Sequence, residues 1–310
     1  MFEIYDFEKS HIEKAQKIAL MNYNEERSAV AELPDIISLP DLSHFADNGL
    51  GVVLCDGSDV LGFLCCYEPW DNAFNSTAKG AFSPTHAHGA AVKNREVIYK
   101  RLYQAAAEKW VKNKITYHAI ALYSHDTQAI NTFFQYGFGL RCIEAVRPLT
   151  NIECIPCDGI VFKEITKAEV IKVREMEKMR ISHYAHYAES PCFMFKPLEV
   201  EVRDSRWFIA IDAETPIAYI EVTENGENFA TEVSSMKNIC GAFCEPEYRG
   251  KGIIQGLLNF VISKVKAQGV YSLGVEFEGF NPTGNGFWLK HFTAYTNSVT
   301  RRIDDWVLQD

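Results

Sequence analysis

The chain has 310 residues and nine cysteines, an odd number; this length suits two domains of about 150 residues with cores that need no disulfides, so the thiols are expected to be reduced and mostly buried. A formal net charge of -10 argues against a nucleic-acid binder, which needs a basic face, and means that any anionic ligand must be held by local positive charge. No apolar run reaches the roughly 18 residues of a membrane span, and Met1–Glu8 carries acids where a secretion signal carries bases, so the expectation is a cytoplasmic protein without a membrane partner.

Along the chain, strand and helix signals alternate. Gly51–Cys55 and Val60–Cys66 are apolar runs around Asp56-Gly-Ser-Asp59, the pattern of a hairpin. Asn94–Lys112 reads as a helix with Ile98, Leu102, Ala105 and Ala106 on one face, Thr116–Tyr123 as a strand, and Thr127–Tyr136 as a short helix closed by Gly137. The order then recurs. Trp207–Ile211 and Ile217–Val222 pair around Glu214-Thr-Pro216, and Ile239–Phe243 is a further strand. A glycine-rich turn leads into a helix with Ile254, Leu257, Leu258, Val261 and Val265 on one face; Ser272–Phe277 reads as a strand and Thr283–His291 as a short helix. Lys79-Gly-Ala-Phe-Ser echoes Cys240-Gly-Ala-Phe-Cys. The recurrence predicts an internal repeat, with domains over residues 1–150 and 151–310.

The turn Pro246-Glu-Tyr-Arg-Gly-Lys-Gly-Ile-Ile254 stands between a strand and a helix. The first N–H groups of a helix have no partner within it and, with the helix dipole, attract an anion. Gly250 and Gly252 allow close backbone approach, and Arg249 and Lys251 supply positive charge. The spacing matches neither the dinucleotide fingerprint nor a nucleotide P-loop.

This stretch resembles the acetyl-CoA pyrophosphate loop of the GNAT acetyltransferase superfamily, Arg or Gln, two residues, Gly, one residue, then Gly or Ala. Ile254 departs from the pattern, standing where a small residue is usual. Asn281-Pro-Thr-Gly-Asn-Gly-Phe-Trp-Leu-Lys-His resembles the loop and helix that follow in that family. His88-Gly-Ala, Ile98-Tyr-Lys-Arg-Leu-Tyr and Phe133-Phe-Gln-Tyr-Gly-Phe-Gly-Leu-Arg resemble the other copy of tandem members, and Ser298–Asp304 their closing strands. The resemblance implies an α+β protein of two tandem GNAT-like domains, each a mixed, mostly antiparallel sheet flanked by helices. It implies acetyl-CoA as co-substrate, held by Arg249, Gly250, Lys251, Gly252, Ile253 and Ile254, with Asn281 facing the pantetheine. Backbone N–H groups at the end of the Ile239–Cys244 strand, around Phe243 and Cys244, would polarise the thioester carbonyl. His86-Ala-His-Gly-Ala-Ala stands where the first domain would have its loop, with one glycine and no paired bases, so that domain reads as degenerate.

The implied reaction is transfer of acetyl to a primary amine, which requires a proton acceptor. Glu221, Glu276 and Glu278 are the candidates; the last two lie two apart, hence on one side of a strand. Many members of the family place a tyrosine on the short helix as the acid, and here Trp288 and Phe133 cannot donate a proton to a thiolate. That absence leaves open a non-catalytic acyl-CoA-binding or sensing protein. Cys154-Ile-Pro-Cys157, His86 with His88, and His183 with His186 have metal-like spacings but lack further ligands, so no metal is expected. Tyr184 and Tyr187 suit an acceptor groove or the core, and Trp306 is expected in the core.

Overall fold

A computed structural model describes residues 2–188 and 202–309; the side chains of His186 and Tyr187 lie outside the described residues, as does Cys192. The chain forms two compact units, residues 1–144 with 294–310, and residues 145–293.

The first unit contains β1 (Phe2–Asp6), α1 (Ile12–Ala29), α2 (Ser43–Asp47), β2 (Val52–Asp56), β3 (Asp59–Leu64), β4 (Lys79–Ser83), β5 (His88–Ala90), α3 (Arg95–Lys112), β6 (Ile115–Tyr123) and α4 (Thr127–Gln135). Strands β1-β2-β3-β5 form an antiparallel sheet in that order. Side chains alternate across a strand, and β2 shows the result. Val52 and Leu54 pack with Ile98, Leu102 and Trp110 of α3. Val53 and Cys55 pack with Ala15 and Ala19 of α1. Between β4 and β5 the chain changes partner, because β4 pairs in parallel with β6 while β5 pairs with β3.

β7 (Gly139–Pro148) begins in the first unit and ends in the second. The second unit continues with β8 (Val161–Ile165), α5 (Lys167–Lys172), α6 (Arg174–Ala188), β9 (Arg206–Asp212), β10 (Thr215–Thr223), β11 (Met236–Cys244), α7 (Ile253–Lys266), β12 (Ser272–Glu278) and α8 (Pro282–His291). Its strands lie in the order β12-β11-β10-β9-β8, antiparallel except for β11 with β12. One sheet face, with Trp207, Ile209, Tyr219 and Phe243, packs on Val170 of α5 and Met176 and Met179 of α6. Phe208, of opposite parity, meets Phe260 of α7 on the other face. Among the described residues no helix is long and apolar enough to cross a membrane.

Three expectations change. The last strand, β13 (Thr293–Arg302), pairs with β6 from Thr296↔Tyr123 to Arg302↔Tyr117, so residues 294–310 belong with the first unit although a division at residue 150 groups them with the second. Trp306 is 66% exposed on a terminal 3-10 turn rather than in the core. The two Gly-Ala-Phe strings occupy different places: Gly80–Phe82 lies in the parallel segment against β6, Gly241–Phe243 in the antiparallel segment against β10. Each glycine answers a local crowding, since a Cβ at Gly80 would stand 2.4 Å from that of Ala73, and one at Gly241 would press on Glu221. Of the described cysteines, Cys55, Cys65, Cys66, Cys142 and Cys244 are buried free thiols, whereas Cys154 is exposed.

Candidate active site

The parallel ladder of β11 and β12 runs from Met236↔Ser272 to Ile239↔Val275. At that point β11 carries a bulge: Val222 of β10 faces Ile239 and Glu221 faces Gly241, leaving Cys240 as the extra residue. A bulge bends the strand that contains it. Beyond it β11 stays with β10 as far as Ala218↔Cys244, while the ladder to β12 has ended. A cleft of about 370 Å³ is lined by Ala242, Phe243 and Cys244 of β11, Phe277 of β12, and Asn281, Phe287 and Trp288 around α8.

The glycine turn closes one end. Arg249, Gly250, Gly252, Ile253 and Ile254 line the cleft; Lys251 does not, and its ammonium lies 5.3 Å from the Tyr248 ring centre. Arg249 Nε donates to the Cys244 carbonyl at 2.9 Å, and its guanidinium stands 5.6 Å from the Phe243 ring centre. Gly250 and Gly252 have φ of +73° and +82°, a region costly for residues with a Cβ. They differ in surroundings: a Cβ at Gly250 would meet open space, one at Gly252 the Ile155 carbonyl at 3.2 Å. Gly252 caps α7, and the first helical bond is Gly256 N–H to Gly252 O, so the N–H groups of Ile253, Ile254 and Gln255 have no partner within the helix. Asn281 is buried, and its Oδ1 accepts from Thr283 N and Gly284 N, both at 3.2 Å, to cap α8.

The candidate carboxylates separate. Glu221 is 6% exposed, and its Oε1 accepts from Ser205 Oγ at 2.5 Å. Its neighbours across the sheet are Trp207 and Gly241, and Gly241 adjoins the cleft residue Ala242. Glu276 is exposed and Glu278 half-buried. Both have strand parity opposite to Phe277, and neither lines the cleft.

Sequence reasoning missed the site roles of His183 and Tyr248. His183 lines the cleft with its Nδ1 2.7 Å from the Tyr219 hydroxyl, and the Tyr248 hydroxyl donates to Asp212 at 2.8 Å. His183 stood out in the sequence only through its spacing to His186, which pointed to a metal and not to a cleft, and the weak apolar stripe of α6 hid the helix that carries it. Among the described residues no three His, Cys, Asp or Glu side chains converge as metal ligands would.

The first unit also has a strand followed by a turn and a helix, at β5 and α3, with different chemistry. His86–Ala90, expected as a loop, is instead a buried approach to β5 and the strand itself; the turn before α3 is Ala91–Asn94, without glycine. Asn94 takes φ +63° there. Buried Arg95 follows, ion-paired with Asp126 at 3.2 Å and Glu25 at 2.7 Å, so its charge is spent within the protein. His88 spans from β5 to β6: Nε2 donates to the Ala121 carbonyl at 2.8 Å, which leaves Nδ1 to accept from the Tyr99 hydroxyl at 3.1 Å. Burial holds its pKa down at about 4.

The sequence matches the profile of the Acetyltransferase (GNAT) family over residues 172–292, so a GNAT acetyltransferase domain is found there. Among solved structures, a GCN5-related N-acetyltransferase from Sphaerobacter thermophilus is similar at 10% identity with a TM-score of 0.57, covering 97% of this chain and 95% of that one. That likeness shows a GNAT-like α+β fold. A tandem GNAT protein from the clavulanic acid biosynthesis pathway aligns at 12% identity with a TM-score of 0.46, covering 97% of this chain and 98% of that one. No curated protein matches the sequence.

Proposed function

We propose that the GNAT domain at residues 172–292 transfers acetyl from acetyl-CoA to a primary amine, and that the chain is a cytoplasmic tandem protein whose first domain is a degenerate copy. The observation that carries this reading is the parting of β11 from β12 over a cleft that ends at the Arg249–Gly252 turn. The diphosphate would rest on the N–H groups of Ile253, Ile254 and Gln255, with Arg249 and Lys251 nearby. Gly250 leaves room for it. The pantetheine would run between the strands past Asn281.

Glu221 is the base we favour, because it is buried opposite Gly241 at the bulge, one residue from the cleft residue Ala242, whereas Glu276 is exposed and Glu278 has strand parity opposite to the cleft residue Phe277; none of the three carboxylates itself lines the cleft. Glu221 takes a proton from the acceptor ammonium. The amine nitrogen then attacks the thioester carbonyl carbon, and backbone N–H groups from Ala242 to Cys244 stabilise the oxyanion. Collapse forms the amide and breaks the carbon–sulfur bond; the attacking nitrogen gives its second proton to water, and the departing thiolate takes a proton from water. A second reading, acyl-CoA binding without turnover, draws on Trp288, an indole lining the cleft where a proton donor would serve.

Titration calorimetry with acetyl-CoA, followed by an assay of free thiol release over a panel of amines, tests both. We expect one acetyl-CoA per chain, because Arg95 and His88 commit the first unit's comparable groups internally. No binding would sink the proposal; binding without thiol release for any amine would favour the second reading.

A further inference from the structure

We infer that His183 carries a proton from the attacking nitrogen to the departing sulfur, linking the two transfers that pass through water above; this rests on the acetyl-transfer reading. His183 of α6 lines the cleft together with Phe243, Cys244 and Trp288. Its Nδ1 is 2.7 Å from the Tyr219 hydroxyl, and its ring centre is 5.8 Å from that of Phe243. Tyr219 and Phe243 are paired across β10 and β11, and both pack on the sheet face that α5 and α6 cover. Glu221 lies two residues beyond Tyr219, opposite Trp207, and so faces the same way. The cleft therefore meets an imidazole on the side of the sheet where the favoured base stands, beside the strand end proposed to polarise the thioester.

Among the described residues that line the cleft, His183 is the one whose ordinary pKa falls between about 5 and 8. Burial pushes the Cys244 thiol up to about 11, the Tyr248 hydroxyl is bonded to Asp212, and Arg249 keeps its proton. The Tyr219 hydroxyl suits a relay because it can both donate and accept. It donates to Nδ1 of the neutral ring, whose own proton is then on Nε2, and it accepts from Nδ1 once the ring is protonated. The ring keeps its orientation through both states.

As the carbon–nitrogen bond forms, the nitrogen becomes cationic, and its second proton passes through water to the neutral imidazole. As the carbon–sulfur bond breaks, the imidazolium returns that proton through water to the thiolate. An imidazolium of pKa about 6.5 is a stronger acid than a thiol of about 8.5, so the return runs downhill. The proton lost by nitrogen ends on sulfur, His183 finishes neutral, and Glu221 releases the first proton to solvent. No acidic group is then needed at Trp288.

Acetyl-CoA with hydroxylamine, and with the best amine of the panel, tests this through catalysed release of free thiol. Hydroxylamine is already neutral at pH 7, so it bypasses the step assigned to Glu221 and leaves the later transfers. We expect His183→Gln to lower kcat about a hundredfold, the lower end for a general acid or base. Its acetyl-CoA dissociation constant should stay within about threefold, which also shows that the variant is folded. His183→Ala should lose as much and recover about tenfold when imidazole is added, because the missing ring leaves room for a free one. The glutamine variant and the unsubstituted protein should not respond to imidazole. Unchanged turnover by His183→Gln, or a loss in His183→Ala that imidazole does not relieve, would overturn the relay while leaving acetyl transfer standing. No catalysed thiol release by the unsubstituted protein with either acceptor would overturn acetyl transfer, and the relay with it.

Discussion

A Cβ on Gly241 would stand 3.1 Å from Oε2 of Glu221, so the glycine and the carboxylate share one space at the bulge of β11. Gly241→Ala must therefore push the carboxylate aside. We expect it to lower kcat about tenfold while changing the acetyl-CoA dissociation constant less than threefold. Glu221→Gln should cost about a hundredfold in kcat and remove the acidic limb of the pH–rate profile, as loss of a general base does. Glu276→Gln and Glu278→Gln should stay within about threefold. Steady-state kinetics across pH decides, and a large loss at Glu278 with Glu221→Gln active would reverse the assignment.

The two turn glycines should separate binding from folding. Gly250→Asp places a carboxylate in open space at the end of the cleft proposed to hold the diphosphate, and aspartate tolerates a left-handed φ better than most residues. Its acetyl-CoA affinity should fall at least about tenfold, with a small change in Tm. Gly252→Glu should abolish binding and also destabilise the fold by about 1–2 kcal/mol, because its Cβ meets the Ile155 backbone. Calorimetry and thermal melts on the pair check the contrast.

Trp288 is buried against Phe287 and Phe292, with ring centres 4.9 and 5.3 Å away. It serves as a wall and not as an acid in the proposed reaction. Trp288→Phe should keep most of the turnover per folded molecule and lose about 1–2 kcal/mol of stability from lost packing. A collapse of kcat with acetyl-CoA affinity intact would show that the indole touches the reacting groups.

Acid should weaken the first unit. Burial holds the pKa values of His86 and His88 at about 4, below the ordinary 6.5. A depressed histidine pKa means that the unfolded chain takes up the proton first, so the contribution is complete above pH 6.5 and is lost as pH falls toward 4. Each such histidine should cost about 2 kcal/mol between pH 7 and pH 5. Denaturant melts should show that loss, and His88→Gln should flatten the pH dependence even if it lowers stability at pH 7.

The helices and strands that bear on the site were legible where one local rule dominated. The stripe from Ile254 to Val265 needed only the helical period, and Arg249–Gly252 only the chemistry of a helix start. What escaped depended on partners far along the chain. β5 is three residues long and exists because β3 offers it an edge. His183 gains its place from Tyr219 and Phe243, on strands that the sequence around α6 does not mention. From the sequence Glu278 stood ahead of Glu221, because the bulge that puts Glu221 opposite a glycine is a long-range feature that no local pattern announces. Trp306 misled because an aromatic side chain alone does not say which surface covers it.

β13 gives the first unit a dependence on time. Its strand partner β6 ends at Tyr123, yet the residues that complete the pairing are Thr296–Arg302. A ribosome makes the chain from its N-terminus, and domains generally fold as they emerge. Here the unit that is begun first is completed last, after every residue of the other unit has been made. Removing the final strand would therefore damage the half of the protein whose sequence lies farthest from the cut.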